Sequence, residues 1–72
     1  MRVSYKKLWI KLAEKEISRA DLRKIIDIAP STMTKLNKNE LVALSVLVKI
    51  CTKLGCDIGD IMEVVPEEAS SN

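Results

Sequence analysis

Ser31, Thr34, Lys35 and Lys38 fall on one side of a short segment whose other side carries Met33 and Leu36. At about 100° per residue, a helix over residues 30 to 38 turns the two hydroxyls and two ammonium groups outward and the two apolar side chains inward. That outer face offers hydrogen bonding and charge. A lysine ammonium can donate to the O6 and N7 acceptors of guanine, and Lys35 is the best placed to do so. Ser31 is a versatile donor or acceptor, while Ala29, Pro30 and the Thr34 methyl supply apolar contact of the kind a thymine methyl accepts. Thr32 lies on the flank, where it serves either a nucleic-acid backbone or the helix cap. Two buried residues against four outward polar ones make a helix to be read from outside.

Other chemistries find little support in the residue types. There is no His, and no activated nucleophile, phosphate-cradling Gly-rich loop or paired-carboxylate pocket is visible, so an enzyme is not expected. Cys51 and Cys56 are the only cysteines, and without histidine they cannot complete a four-ligand zinc site within one chain. Both read as reduced packing thiols, Cys51 on the buried stripe of a helix and Cys56 in the apolar slot after Gly55. Neither metal nor cofactor is expected.

The outward face must be held by what precedes it. Ser18 can cap a helix over about residues 19 to 26, with Asp21 at the third position in a weak capping box and Ile17 stapled onto Leu22. Its expected buried stripe is Leu22, Ile25 and Ile26. Asp27 falls where the chain turns, and Asp tolerates the left-handed conformation that a turn demands. Pro30 suits a first helical position, having no amide hydrogen to leave unpaired. At the start of the earlier helix, unpaired amides favour an anion, so Ser18 and Arg19 are expected to meet phosphate, with Arg19 and Lys38 as its clamps.

On either side lie further amphipathic segments. Ser4 can cap a helix over residues 5 to 14 that turns Tyr5, Leu8, Trp9 and Leu12 inward, and a fourth helix over residues 44 to 54 buries Leu44, Leu47, Val48, Cys51 and Leu54. Val46 and Ile50 form a second apolar pair on the flank of that fourth helix. A short fifth helix opened by Asp57 buries Ile58 and Ile61 and leaves Met62, Val64 and Val65 in excess before Pro66. The surplus is covered either within the chain or by a second copy; on the latter reading, Val46, Ile50, Met62 and Val65 form a dimer surface. No sustained period-two alternation appears, so an all-α fold is expected, a single domain over residues 1 to 66 with a polar tail over 67 to 72.

From Ile17 to Lys38 the chain resembles the helix-turn-helix of the Cro/C1-type repressor family, which places apolar residues where this sequence has Leu22, Ile26, Ile28, Met33 and Leu36. The similarity extends over about residues 4 to 65. It implies a compact five-helix domain, a DNA-binding transcriptional regulator, and a second phosphate contact around Lys38 and Asn39, in the loop that follows the reading helix.

Charge distribution agrees with that implication. Residues 1 to 53 carry all 12 basic groups and 5 acidic ones, a balance of +7, whereas residues 54 to 72 carry 5 acids and no base. Such asymmetry fits a polyanion-binding face, although a solvated helical surface alone produces mixed charge too. The expected partners are therefore double-stranded DNA and a second copy of the chain. No apolar run reaches the roughly 18 residues of a membrane span and no signal peptide is visible, so the expected location is cytoplasmic. The rival expectation is a protein-interaction module, such as an antitoxin or adaptor, that keeps the helices but uses the apolar surplus for a partner.

Overall fold

Four α-helices carry the chain, and all four stop in the same way. In the computed structural model, which describes residues 2–66, they are α1 (Lys6–Glu14), α2 (Arg19–Ile26), α3 (Pro30–Asn37) and α4 (Leu44–Leu54). Just beyond each one stands a residue in the left-handed conformation: Glu16 (φ 57°), Asp27 (φ 52°), Asn39 (φ 57°) and Gly55 (φ 67°). The next amide then reaches back to a carbonyl in the last turn, Ile17 to Leu12, Ile28 to Arg23, Glu40 to Lys35 and Cys56 to Cys51, at 2.9–3.3 Å. This closure satisfies carbonyls that the helix leaves open, and it aims Ile17, Ile28 and Cys56 at the core.

Asp and Asn tolerate positive φ better than a longer side chain does, and Glu16 is the costly member of the set. Relief of the left-handed strain, roughly 1–2 kcal/mol, exceeds the roughly 0.5–1 kcal/mol of extra chain entropy a glycine brings. Glu16→Gly is therefore expected to raise stability by about 0.5–1 kcal/mol, read as a higher midpoint in urea unfolding. A lowered midpoint would show that Glu16 makes a compensating interaction.

Helix starts follow the sequence closely. Ser18 Oγ accepts from the Asp21 amide at 3.0 Å and Asp21 accepts from the Ser18 amide at 3.4 Å, so the capping box is complete. Pro30 opens α3. Ser4 does not cap α1; it lies in a strand, its hydroxyl accepting from the Lys6 amide at 3.4 Å, and Tyr5 takes the cap position.

The fold is mostly helical, with one addition. A 3-10 turn (Ile58–Asp60) stands where a fifth α-helix was expected: Asp57 and Asp60 cap its start, but the chain is already extended from Glu63. Beyond it, strand β2 (Glu63–Val65) pairs antiparallel with β1 (Arg2–Ser4) in the register Arg2↔Val65, Val3↔Val64, Ser4↔Glu63. Three-residue strands are too short to display period-two alternation, and the chain's two ends are brought together only by the folded helices. Residues 67 to 72, the expected polar tail, lie outside the described residues.

Leu8, Leu12, Leu22, Leu36, Ile50 and Ile61 form the centre of the core. On α2 the buried stripe is narrower than expected, since Ile25 is 44 % exposed. On α4 it is rotated: Leu47, Ile50 and Leu54 are buried, Cys51 is half-buried, and Leu44 and Val48 are exposed. Seven of the eleven α4 residues are apolar, so periodicity leaves the phase open; packing against α2 and the 3-10 turn decides it. As a result the expected dimer surface is corrected at Ile50. Ile50 is wholly inside, Val46 is half-buried against the core, and Met62 and Val65 are half-buried around β2.

Cys51 and Cys56 are free thiols, both half-buried. Burial pushes the Cys51 thiol above its ordinary value, and the adjacent Cys56 thiol and the Asp57 and Asp60 carboxylates add to the shift. A raised folded-state value makes the thiol's contribution to stability complete at neutral pH and lost as pH climbs through that value. Cys51→Ala is expected to cost about 1 kcal/mol or more in unfolding free energy while leaving ligand choice unchanged. Release of a bound ligand by mild oxidant would overturn this packing role.

Candidate nucleic-acid interface

Because Met33 and Leu36 are buried, the remaining side of α3 is fixed in space. Ala29, Pro30, Ser31, Thr34, Lys35 and Lys38 are all exposed, and Thr32 is half-buried on the flank. The Thr34 hydroxyl donates to the Pro30 carbonyl at 3.1 Å, which engages its oxygen within the helix and leaves the methyl as its outward chemistry. Ser31 and Lys35, one turn apart, have exposed side chains free of hydrogen bonds among the described residues. The face can offer two polar readers and one methyl to a groove.

Between α2 and α3 the chain turns over Asp27, Ile28 and Ala29. Asp27 takes the left-handed conformation, Ile28 is buried, and Ala29 is extended at the cap of α3. A three-residue turn with a buried middle residue restrains the two helices, and the start of α2 comes within reach of the last turn of α3 through Arg19 and Asn37. There, Ser18 is engaged in its capping box, with the amides of Arg19 and Ala20 outside that box.

Arg19 is held more firmly than an exposed arginine usually is. Its guanidinium carbon lies 3.8 Å from the centre of the Trp9 ring, and its Nη1 donates to Asn37 Oδ1 at 2.6 Å. Three helices meet at this side chain: Trp9 from α1, Arg19 from α2 and Asn37 from the last turn of α3. The inward orientation expected of Trp9 is only half-realised, for the ring is half-buried with the guanidinium over it. Sequence spacing contains no signal for this contact, since residues 9, 19 and 37 are joined only by tertiary packing.

Beyond α3, Lys38 is exposed, but Asn39 is half-buried and its side chain has work inside the fold. Asn39 Oδ1 accepts from the Tyr5 amide at 3.0 Å, and the buried Tyr5 hydroxyl donates to the Glu40 carbonyl at 2.7 Å. These two bonds tie the start of α1 to the loop after α3. Lys7, on the far side of α1, reaches the Gly59 carbonyl at 3.3 Å and Glu63 at 3.7 Å, an exposed pairing of small energetic weight.

A compact helical unit with an outward polar helix, joined by a tight turn to a capped neighbour whose Arg19 reaches it, has the arrangement of a DNA reader. A family model for the Cro/C1-type helix-turn-helix DNA-binding domain matches residues 7–67. The chain belongs to this family. A solved structure, the crystal structure of the transcriptional regulator VanUg, is similar at 48 % sequence identity, covering 90 % of this chain and 87 % of that one, with a TM-score of 0.89. No match is found among curated proteins. This Cro/C1-type chain is thus a DNA-binding transcriptional regulator, and among its described residues no helix is long and apolar enough to cross a membrane.

Proposed function

We propose that this Cro/C1-type domain binds duplex DNA sequence-specifically, with α3 in the major groove and the start of α2 against the sugar-phosphate backbone, and that it acts as a repressor. The observation that supports this reading is the exposure of Ser31, Thr34, Lys35 and Lys38 along a helix whose Met33 and Leu36 are buried. Lys35 and Ser31 specify; Ala29, Pro30 and the Thr34 methyl shape the apolar fit. Arg19 and Lys38 hold phosphates, with Ser18, Thr32 and Asn39 at the margins of that contact. Occupying a site excludes other proteins from overlapping DNA, so repression asks nothing more of the fold than binding.

Retention on duplex DNA across a salt series tests the reading, because phosphate-driven binding weakens steeply as counterions compete. Selection of bound sites from a random pool then supplies the operator. Salt-insensitive retention, or no enriched sequence, would overturn it.

One reading helix addresses only a few base pairs, so we also propose that two copies bind a pseudo-palindromic site with half-sites about 34 Å apart. Leu44 and Val48, one turn apart on α4, are exposed apolar side chains that suit such an association. Light scattering on the complex with a selected operator is expected to give two chains per duplex. A single chain per duplex would sink the dimer.

A further inference from the structure

Arg19 is held on two sides, by the Trp9 ring and by Asn37, and neither of these residues is among the proposed DNA contacts. We propose that Trp9 and Asn37 are positioning residues, which hold the Arg19 guanidinium ready for a DNA phosphate beside the start of α2. The inference rests on the DNA-binding reading and deepens it at one contact.

The geometry divides the guanidinium into used and unused parts. One face lies on the Trp9 ring at 3.8 Å, and one N–H is taken by Asn37 Oδ1 at 2.6 Å. A guanidinium carries five donors in a planar fork, so the pairing with Asn37 leaves several N–H groups for an oxyanion. Asn37 presents a neutral amide oxygen where a carboxylate would neutralise the charge. The cation is therefore oriented without being cancelled. Trp9 adds to the restraint, since a stacked guanidinium keeps its edges free while its face is desolvated.

Restraint matters because a free arginine must be ordered at the moment of binding. Immobilising one rotamer-rich side chain weakens association by a factor of about 2 to 12, and a side chain already held avoids that loss. Asn37 also sits in the last turn of α3, so the same contact ties the backbone clamp to the reading helix.

The test is anisotropy titration of a selected and a scrambled duplex over a salt series, with parent, Arg19→Ala, Asn37→Ala and the double variant. Asn37 is uncharged and releases no counterion itself. Asn37→Ala is expected to weaken both duplexes about 3- to 10-fold with unchanged discrimination, and to add nothing in the Arg19→Ala background. Arg19→Ala is expected to flatten the salt dependence by about one unit per half-site. Trp9 is the only tryptophan, so its emission is expected to shift in both single variants as the guanidinium leaves the ring. Trp9→Leu is expected to reproduce the loss seen with Asn37→Ala, and Trp9→Phe, which keeps a ring face, to spare part of it.

Independent, multiplying losses from Asn37→Ala and Arg19→Ala would overturn the inference, as would a loss of discrimination in Asn37→Ala, which would make Asn37 a base reader. Unchanged DNA binding in Arg19→Ala with a shifted Trp9 emission would leave the cluster as an internal staple and overturn it too. A parent protein that binds no duplex sinks the DNA-binding reading itself. Thermal melts of each variant separate these outcomes from misfolding.

Discussion

Lys35→Ala is expected to cost about 1–3 kcal/mol on the preferred site and to relax preference at one or two base pairs, while binding to scrambled DNA changes little. The reason is positional. Lys35 is exposed on the side of α3 opposite the buried Met33 and Leu36, with Ser31 one turn before it on the same side. Its loss removes a donor aimed at base edges and a charge, but no packing. By contrast, Arg19→Ala is expected to weaken binding to all sequences alike. Lys35→Ala binding specific and scrambled duplexes in the parent's ratio would mean that residue 35 reads no base.

A large effect on folding is expected at Ile50. Its side chain is wholly buried on the core face of α4, so Ile50→Ala should lower the unfolding free energy by about 2–5 kcal/mol. A domain of this size holds a margin of roughly 5–15 kcal/mol at best, so the variant is expected to melt far below the parent. Urea unfolding measures the loss, and light scattering on the folded fraction is expected to show no change in association. A stable Ile50→Ala protein that fails only to self-associate would instead restore residue 50 to a dimer surface. Leu44→Ser is the matching control: at 63 % exposure, Leu44 contributes little to the core, and its replacement is expected to leave the melting midpoint nearly unchanged.

Local chemistry made much of this legible from the chain. The Ser18–Asp21 capping box, Pro30 at the first position of α3, the left-handed Asp27 and Asn39, and the outward row from Ser31 to Lys38 each depend on residues within a few positions of one another. Such short-range rules act before any tertiary contact forms, and the bounds of α2 and α3 follow from them. Glu16 escaped that logic because a glutamate carries no preference for the left-handed region, and only the closure from Ile17 to Leu12 imposes it.

Tertiary structure decided what periodicity left degenerate. A helix apolar nearly all round, like α4, has no preferred phase until α2 and the 3-10 turn choose one, which is how Ile50 went inside and Val48 outside. Two three-residue segments, too short to signal a strand, became a ribbon only when the helices brought residues 2–4 and 63–65 together. The same holds at the interface. The sequence alone determined which residues have the chemistry to meet DNA, because outward polarity on α3 is a local pattern. Packing of three helices determined that Trp9 and Asn37 would converge on Arg19, because contacts between residues far apart in the chain carry no local pattern to read.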